Sequence, residues 1–475
     1  MSTIAAVSTP RGKGGIAVIR ISGEDAVGVA GKMFIPRAPK KLTDFPARHA
    51  VYGDILDAEN RVCDSGICVL YYGPSSFTGE DCCEISCHGG TYVTRTVLAS
   101  ALAHGAVPAA AGEFTKRAFI NGRMSLIEAE AVGKLIDSDT EERMRLSSGA
   151  MRGNVSREIK KIADSLVGVM TALYAAIDYP DEDIGTEGED TIAEVVDAAL
   201  ADVRRILATY KTGRAVSDGV RTVICGRPNV GKSSLFNRMT GTDSAIVTSV
   251  AGTTRDILRE SVSFGGVTLR LSDTAGLHES EDEVEKIGID RANSEIASAE
   301  LVMAVYTAED CVRGYDPEPL PECARIAVIN KADLYGGTPL NPAFTAYLKE
   351  TFGTVVLLSC VEDGAYGPLA EAFAAAGCET AAGMDGLGTA VAALYGSDRI
   401  DLINDAVIWD VRQQASLSRA AEWLAEASEA LAMGAEVDAV CTTVEAAAAS
   451  LSETDGRGIT AEIVDGIFHR FCVGK

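Results

Sequence analysis

Proline is scarce and unevenly placed in this chain. Of its fourteen prolines, none falls between Pro108 and Pro180, and none follows Pro368. A proline ring removes a backbone donor and clashes with the preceding helical turn, so long helices run where it is absent. Both gaps are rich in Ala, Glu and Leu, which favour helix. In the first, Ile159, Ile162, Leu166, Met170, Leu173 and Ile177 recur at spacings of three and four, which predicts an amphipathic helix packed along that stripe. In the second, Leu417, Leu424 and Leu431 fall seven apart. Core packing explains both stripes.

Outside the gaps the pattern shortens. Apolar runs such as 16–21 and 67–72 lie between Gly, Pro and Asp turns, and predict an α+β domain over residues 1–118. Residues 217–379 alternate helical segments with apolar strands at 222–225, 268–272, 301–306, 326–329 and 355–359, the βαβ pattern of a parallel sheet covered by helices. This α/β unit sits between two helical stretches, 119–216 and 380–475, and reads as an insertion into one helical-bundle domain, with 383–388 as the return linker. The expected fold class is therefore multidomain: an N-terminal α+β domain, a helical domain and an inserted α/β P-loop domain.

Composition narrows the classes of function. The net charge is −25 and the isoelectric point is near 4.7, which argues against a nucleic-acid coat protein. Residues 1–50 run the other way, with eight Lys or Arg against three acidic residues, so an anionic ligand meets this end first. No apolar run reaches the roughly 18 residues of a spanning helix. The first residues lack the charged and apolar regions of a secretory signal, and twelve cysteines are too dilute for a disulfide scaffold. A cytoplasmic setting without membrane attachment is expected.

The strand ending at Cys225 runs into Gly226-Arg-Pro-Asn-Val-Gly-Lys-Ser233, followed by helical Ser234-Leu-Phe-Asn. Strand, glycine-rich loop and helix in this order form a P-loop, whose amides cradle phosphate oxygens. Asn229, Val230, Gly231, Lys232, Ser233 and Ser234 are the candidate contacts. Lys232 suits the β- and γ-phosphates, and the Ser233 hydroxyl suits Mg²⁺. Asp273-Thr274-Ala275-Gly276 follows a later strand, where a Mg²⁺-positioning carboxylate belongs. Asn330-Lys331-Ala332-Asp333 follows another. The Asp333 carboxylate matches the paired N–H donors of guanine, which adenine lacks, and an unpaired buried carboxylate penalises the wrong base. Ser359-Cys360 resembles the remaining guanine-loop motif, with Cys where Ala is usual. These motifs specify a GTPase binding GTP and GDP.

The residue after Asp273-Thr-Ala-Gly276 is Leu277, which cannot orient an attacking water as the usual Gln does. Asn229 is a suitable monovalent-cation ligand through its amide oxygen, and carbonyls of the loop 248–256 could complete a K⁺ site that offsets transition-state charge. The alternative is that Asn229 only stabilises the loop. Five of the seven residues at 279–285 are acidic, and nothing in their spacing selects one as a catalytic group.

Segments beyond the nucleotide motifs carry a family resemblance: Pro10-Arg-Gly-Lys-Gly-Gly15, Ser76-Phe-Thr-Gly-Glu-Asp81, His88-Gly-Gly90, Gly112-Glu-Phe-Thr-Lys-Arg-Ala-Phe119 and the terminal Phe471-Cys-Val-Gly-Lys475. Throughout its length the chain resembles the tRNA-modification GTPases of the MnmE/TrmE family. The resemblance implies a homodimer with an N-terminal folate-binding domain, a helical domain and an inserted Ras-like G domain. It also implies a heterotetramer with a flavoprotein, MnmG or GidA, that binds FAD and NADH. The two together would add a carboxymethylaminomethyl or aminomethyl group to carbon five of the tRNA wobble uridine, using methylenetetrahydrofolate.

Matched position by position, the resemblance places the K⁺ loop at Asn229, Thr248, Val250 and Thr253, with Ser249, Ala251 and Gly252 between them. Thr254 becomes a Mg²⁺ ligand and Glu285 the catalytic Glu, as acid or base. It places tetrahydrofolate, as the formyl or methylene derivative, against Arg20, Glu84, Arg123 and Lys475. Arg123 departs from the Lys found in many members, exchanging a point charge for a planar fork. By residue type alone these four are ordinary surface charges. Cys472 is implicated in the modification reaction. Cys82, Cys83 and Cys87 beside His88 lack a paired Cys-x₂-Cys knuckle, and strand alternation sets Cys83 and Cys87 opposite His88, against zinc. The competing class is a ribosome-assembly or switch GTPase without one-carbon chemistry.

Overall fold

The structure is a computed structural model that describes residues 1–10, 12–178, 186–241, 259–272, 296–317, 319–361, 364, 366–457, 461–469, 471 and 473–474. The chain divides into two units, one comprising residues 1–133 and 448–475, the other residues 134–447.

The first unit is built on seven strands: β1 (Ile4–Val7), β2 (Ile16–Ser22), β3 (Phe34–Pro36), β4 (Val51–Leu56), β5 (Val62–Tyr71), β6 (Cys82–His88) and β7 (Val107–Pro108). Their order is β3-β4-β5-β6-β2-β1-β7, antiparallel except for the β1–β7 pair. Alternation decides the faces. Ala17, Ile19 and Ile21 of β2, Cys68 and Leu70 of β5, and Cys83, Ile85 and Cys87 of β6 pack with helices Ala26–Met33 and Thr91–Ala103 into one core. Truncating Ile19, which is fully buried, to Ala costs about 2–5 kcal/mol through lost burial and the cavity left behind. Intervening residues, including Arg20 and Glu84, point to the opposite face.

The end of the chain belongs to this unit. Helix Ala461–Phe468 supplies Val464 and Phe468 to a cluster with Leu126 and Ala129. Val473 then bridges Ala111, and the Ser8 hydroxyl donates to the Gly474 carbonyl at 2.9 Å. Gly474 has φ +97°, and a Cβ there would sit 2.1 Å from the Val7 carbonyl oxygen, so the close approach requires glycine.

The second unit holds the other sheet: β8 (Val220–Cys225), β9 (Arg259–Phe264), β10 (Val267–Ser272), β11 (Leu301–Thr307), β12 (Ala324–Asn330), β13 (Val355–Leu357) and β14 (Thr380–Ala382). The order is β14-β13-β12-β11-β8-β10-β9, with every pair parallel except β9–β10. β8 lies between β11 and β10, so the connections diverge at its carboxyl end, where open α/β sheets bind ligands. β14 places the last strand of this sheet beyond residue 379.

Helices Glu141–Met151, Asn154–Asp178, Val411–Ala432 and Val437–Thr454 lie in the two proline-free stretches, and Thr186–Ala208 follows just after Pro180. The stripe of Asn154–Asp178 is Ile159, Ile162, Leu166, Val169 and Leu173, all buried, whereas Met170 is half-buried and Ile177 is 39% exposed. A period of 3.6 favours Val169 over its neighbour at this turn. The expected linker at 383–388 is instead the start of helix Gly383–Tyr395. The β9–β10 turn packs on this helix through its own glycine: a Cβ on Gly265 would be 2.6 Å from the Gly388 carbonyl oxygen.

Candidate functional site

Three positive φ values shape the loop after β8: Gly226 at +143°, Asn229 at +63° and Gly231 at +101°. Gly226 and Gly231 tolerate no side chain. A Cβ on Gly226 would meet the Val305 carbonyl oxygen at 2.4 Å, and one on Gly231 would meet Asn330 Nδ2 at 2.1 Å. The loop ends at helix Lys232–Thr240, with Gly231 as N-cap and no side chain capping it. A helix N-terminus preceded by such a loop is of the kind whose backbone amides and dipole suit an anion. Ser233 and Ser234 are exposed on the first turn.

Side chains clamp this loop through its carbonyls. Asn330 Nδ2 donates to the Val230 carbonyl at 2.8 Å, while its Oδ1 accepts from the Cys360 amide at 3.2 Å. Asn330 thus ties the loop after β8 to the loop after β13. Lys331, at φ +56°, donates to the Asn229 carbonyl at 2.6 Å. Lys232 Nζ donates to the carbonyls of Gly226 and Arg227 at 2.9 and 3.0 Å. Arg238 donates to the Ser359 carbonyl at 2.9 Å. Burial pushes the Cys360 thiol up, with Arg238 pulling the other way, so it stays a neutral group in the base-side loop. Asp333 is half-buried on the turn Ala332–Leu334. Asn229, Val230, Gly231, Lys232, Asn330, Lys331, Ser359 and Cys360 are brought into one constellation. The residues at 248–254, 273–277, Glu285, Cys472 and Lys475 lie outside the described residues.

In the first unit, Arg20 and Glu84 stand directly opposite each other in the β2–β6 register. The guanidinium reaches Glu84 Oε1 through Nε at 2.9 Å and Nη2 at 2.8 Å, with the side chains 20% and 28% exposed. It also lies over the Phe77 ring at 5.1 Å and the Phe114 ring at 5.7 Å. Tyr71 bonds Glu84, and burial together with that carboxylate raises its phenol above the usual range. Arg123 packs against the same loop, since a Cβ on Gly79 would touch its Cγ at 3.1 Å. Ser22, Thr78 and Glu80 continue the polar network, anchored by Arg117 to Glu80 at 3.0 Å and Glu113 at 2.8 Å.

Tyr71, Phe77 and Phe114 were not singled out from the sequence. Period-two alternation along β5 and β6 could have found Tyr71, which shares a face with Glu84. Cys83 and Cys87 are buried among the core residues. His88 instead faces solvent, bonded to Asp64 at 2.7 Å. Among the described residues, no group of three or more His, Cys, Asp or Glu is arranged to hold a metal. No helix among them is long and apolar enough to cross a membrane.

Residues 3–123 match the family model of the GTP-binding protein TrmE N-terminus, and residues 126–472 match that of the MnmE helical domain. The chain belongs to the MnmE/TrmE family. It is a GTP-hydrolysing enzyme of tRNA modification. The tRNA modification GTPase MnmE of Symbiobacterium thermophilum is 37% identical over 481 residues, covering 100% of this chain and 99% of the relative. That of Natranaerobius thermophilus is 35% identical over 477 residues, with 100% and 99% covered. That of Lactobacillus delbrueckii subsp. bulgaricus is 37% identical over 478 residues, with 100% and 98% covered. The match to MnmE/TrmE chains over their whole length sets aside the competing ribosome-assembly class.

Proposed function

We propose that this member of the family is a K⁺-dependent GTPase whose cycle serves a folate-dependent modification of the tRNA wobble uridine. It would act in the cytoplasm as a homodimer, joined in a heterotetramer with a FAD- and NADH-binding flavoprotein. The added group is carboxymethylaminomethyl or aminomethyl at carbon five. The division into residues 1–118, 119–216, 217–379 and 380–475 belongs to the same proposal.

One observation carries the folate reading. Arg20 and Glu84 face each other on the side of the sheet opposite helices Ala26–Met33 and Thr91–Ala103, with the guanidinium over the Phe77 and Phe114 rings, in a unit without any nucleotide motif. A carboxylate that accepts from a ring N–H and amine, next to aromatic rings, fits a reduced pterin. A guanidinium fits the glutamate carboxylates of the same cofactor. Arg123 borders this place, and Lys475 is assigned to it.

In the other unit, Gly226–Ser233 would wrap the phosphates, with Lys232 turning from the loop carbonyls to the β- and γ-oxygens. Ser233, Thr254 and the Asp273 motif would hold Mg²⁺. The exposed Asn229, with Thr248, Val250 and Thr253, would hold K⁺, whose charge offsets that of the transition state. Asp333 selects guanine, and Glu285 is the assigned acid or base. Cys472 is assigned to the modification step.

Titration with 5-formyltetrahydrofolate and GTPase assays in K⁺ and Na⁺ test both halves. Saturable folate binding and faster turnover in K⁺ are expected. A chain that ignores folate loses the one-carbon reading, and equal rates in the two salts remove the ion.

A further inference from the structure

The second half of the phosphate loop is held from β12, through Asn330 on the Val230 carbonyl and Lys331 on the Asn229 carbonyl. Its first half is held from elsewhere. Arg227 carries its guanidinium away from the loop and pairs with Asp310 Oδ1. Asp310 is a buried carboxylate, its side chain 4% exposed. Its Oδ2 accepts from the Thr307 amide at 2.8 Å and the Thr307 hydroxyl at 2.7 Å, closing the capping box at the end of β11. The Arg227 guanidinium also lies 5.7 Å from the centre of the Tyr315 ring.

We propose that Arg227 and Asp310 form a positioning pair that fixes the first turn of the phosphate loop, and thereby sets nucleotide affinity without either side chain touching the nucleotide. The proposal rests on the assignment of Gly226–Ser234 to phosphate. Two features give it force. Only Asp310 is buried, Arg227 being 42% exposed, so a swing of Arg227 toward phosphate would leave the buried Asp310 carboxylate without its cation. Its own carbonyl, beside that of Gly226, receives Lys232. The side chain that fixes Arg227 therefore also fixes the oxygen on which the phosphate-binding lysine rests. Backbone amides bind anions only while their N–H vectors converge, so a loosened first turn weakens GDP and GTP alike.

The test is a double-mutant cycle on the full chain, read as affinity for a fluorescent GDP analogue. Arg227→Gln and Asp310→Asn should each weaken binding about tenfold, and the double variant also about tenfold rather than a hundredfold, because both remove one interaction. Arg227→Lys, which keeps the charge, should recover part of the loss. A role in general stability alone would lower the melting temperature of the variants without this pattern. Independent, multiplying losses would overturn the pair, as would wild-type affinity in Arg227→Gln. Tighter binding in Asp310→Asn would overturn it too, showing that Arg227 is a phosphate ligand restrained by its partner. If Asp310→Asn does not fold, the contrast between Arg227→Gln and Arg227→Lys decides. Lys232→Ala is the control: if it retains full affinity, the phosphate assignment fails rather than the pair.

Discussion

The phosphate loop and the Arg20–Glu84 face are built by opposite means. The loop is nearly all backbone: in the proposed reading its amides meet the phosphates, and the side chains around it hold its carbonyls in place. The Arg20–Glu84 face is all side chain, set by the register of two strands whose contacting residues are 64 positions apart. Backbone sites demand particular φ values and particular glycines, and these must be contiguous in sequence. Side-chain sites demand only that alternation and register deliver the right groups together, which distant segments can do.

The difference can be broken most forcefully at Gly231. A valine there would need a left-handed backbone and would place its Cβ on Asn330 Nδ2. Gly231→Val should reduce nucleotide affinity about a thousandfold or more, measured by equilibrium dialysis with GDP, because it removes converging amides that no side chain can replace. Asp333→Asn comes next: GTP preference over ATP should fall about a hundredfold in competition assays, since one carboxylate carries that choice. On the other face, Glu84→Gln should weaken 5-formyltetrahydrofolate about tenfold, the loss of one charge-assisted contact, while GTP turnover holds. If Glu84→Gln changed turnover as strongly as folate binding, the two regions would not be separable. A separate check concerns the core of the first sheet, at Cys87. Burial pushes its thiol up to about 11, with Asp64 adding to the shift. Thiolate is the reactive form, so maleimide labelling of Cys87 at pH 8 should lag that of a free thiol in solution by more than about a hundredfold.

Legibility in the sequence follows the same divide. The strand–loop–helix at Cys225–Lys232 and the Asn330 motif stood out because both are local. The alternation of the parallel sheet was equally plain, since its strands are continuous apolar runs such as Ile326–Ile329, all buried. The antiparallel strand β9, Arg259–Phe264, has no continuous apolar run, and Gly265-Gly266 at its hairpin turn is its main local signal. Helix Gly383–Tyr395 is hidden in the sequence because three glycines in its first six residues disfavour helix. Arg20 and Glu84 were charges among charges until register joined them. The Arg227–Asp310 pair had no local signature, because 83 residues separate its members.

The tail that bridges Val473 to Ala111 and lays Gly474 beside Ser8 has a temporal consequence. A chain leaves the ribosome from its amino end, so Ser8 and Ala111, made early, wait for Val473 and Gly474 before these contacts close. Synthesis must run through the nucleotide-binding domain in between, which can close on its own schedule. Carboxyl-terminal fusions or nicks therefore act at the amino-terminal sheet, far from their place in the sequence.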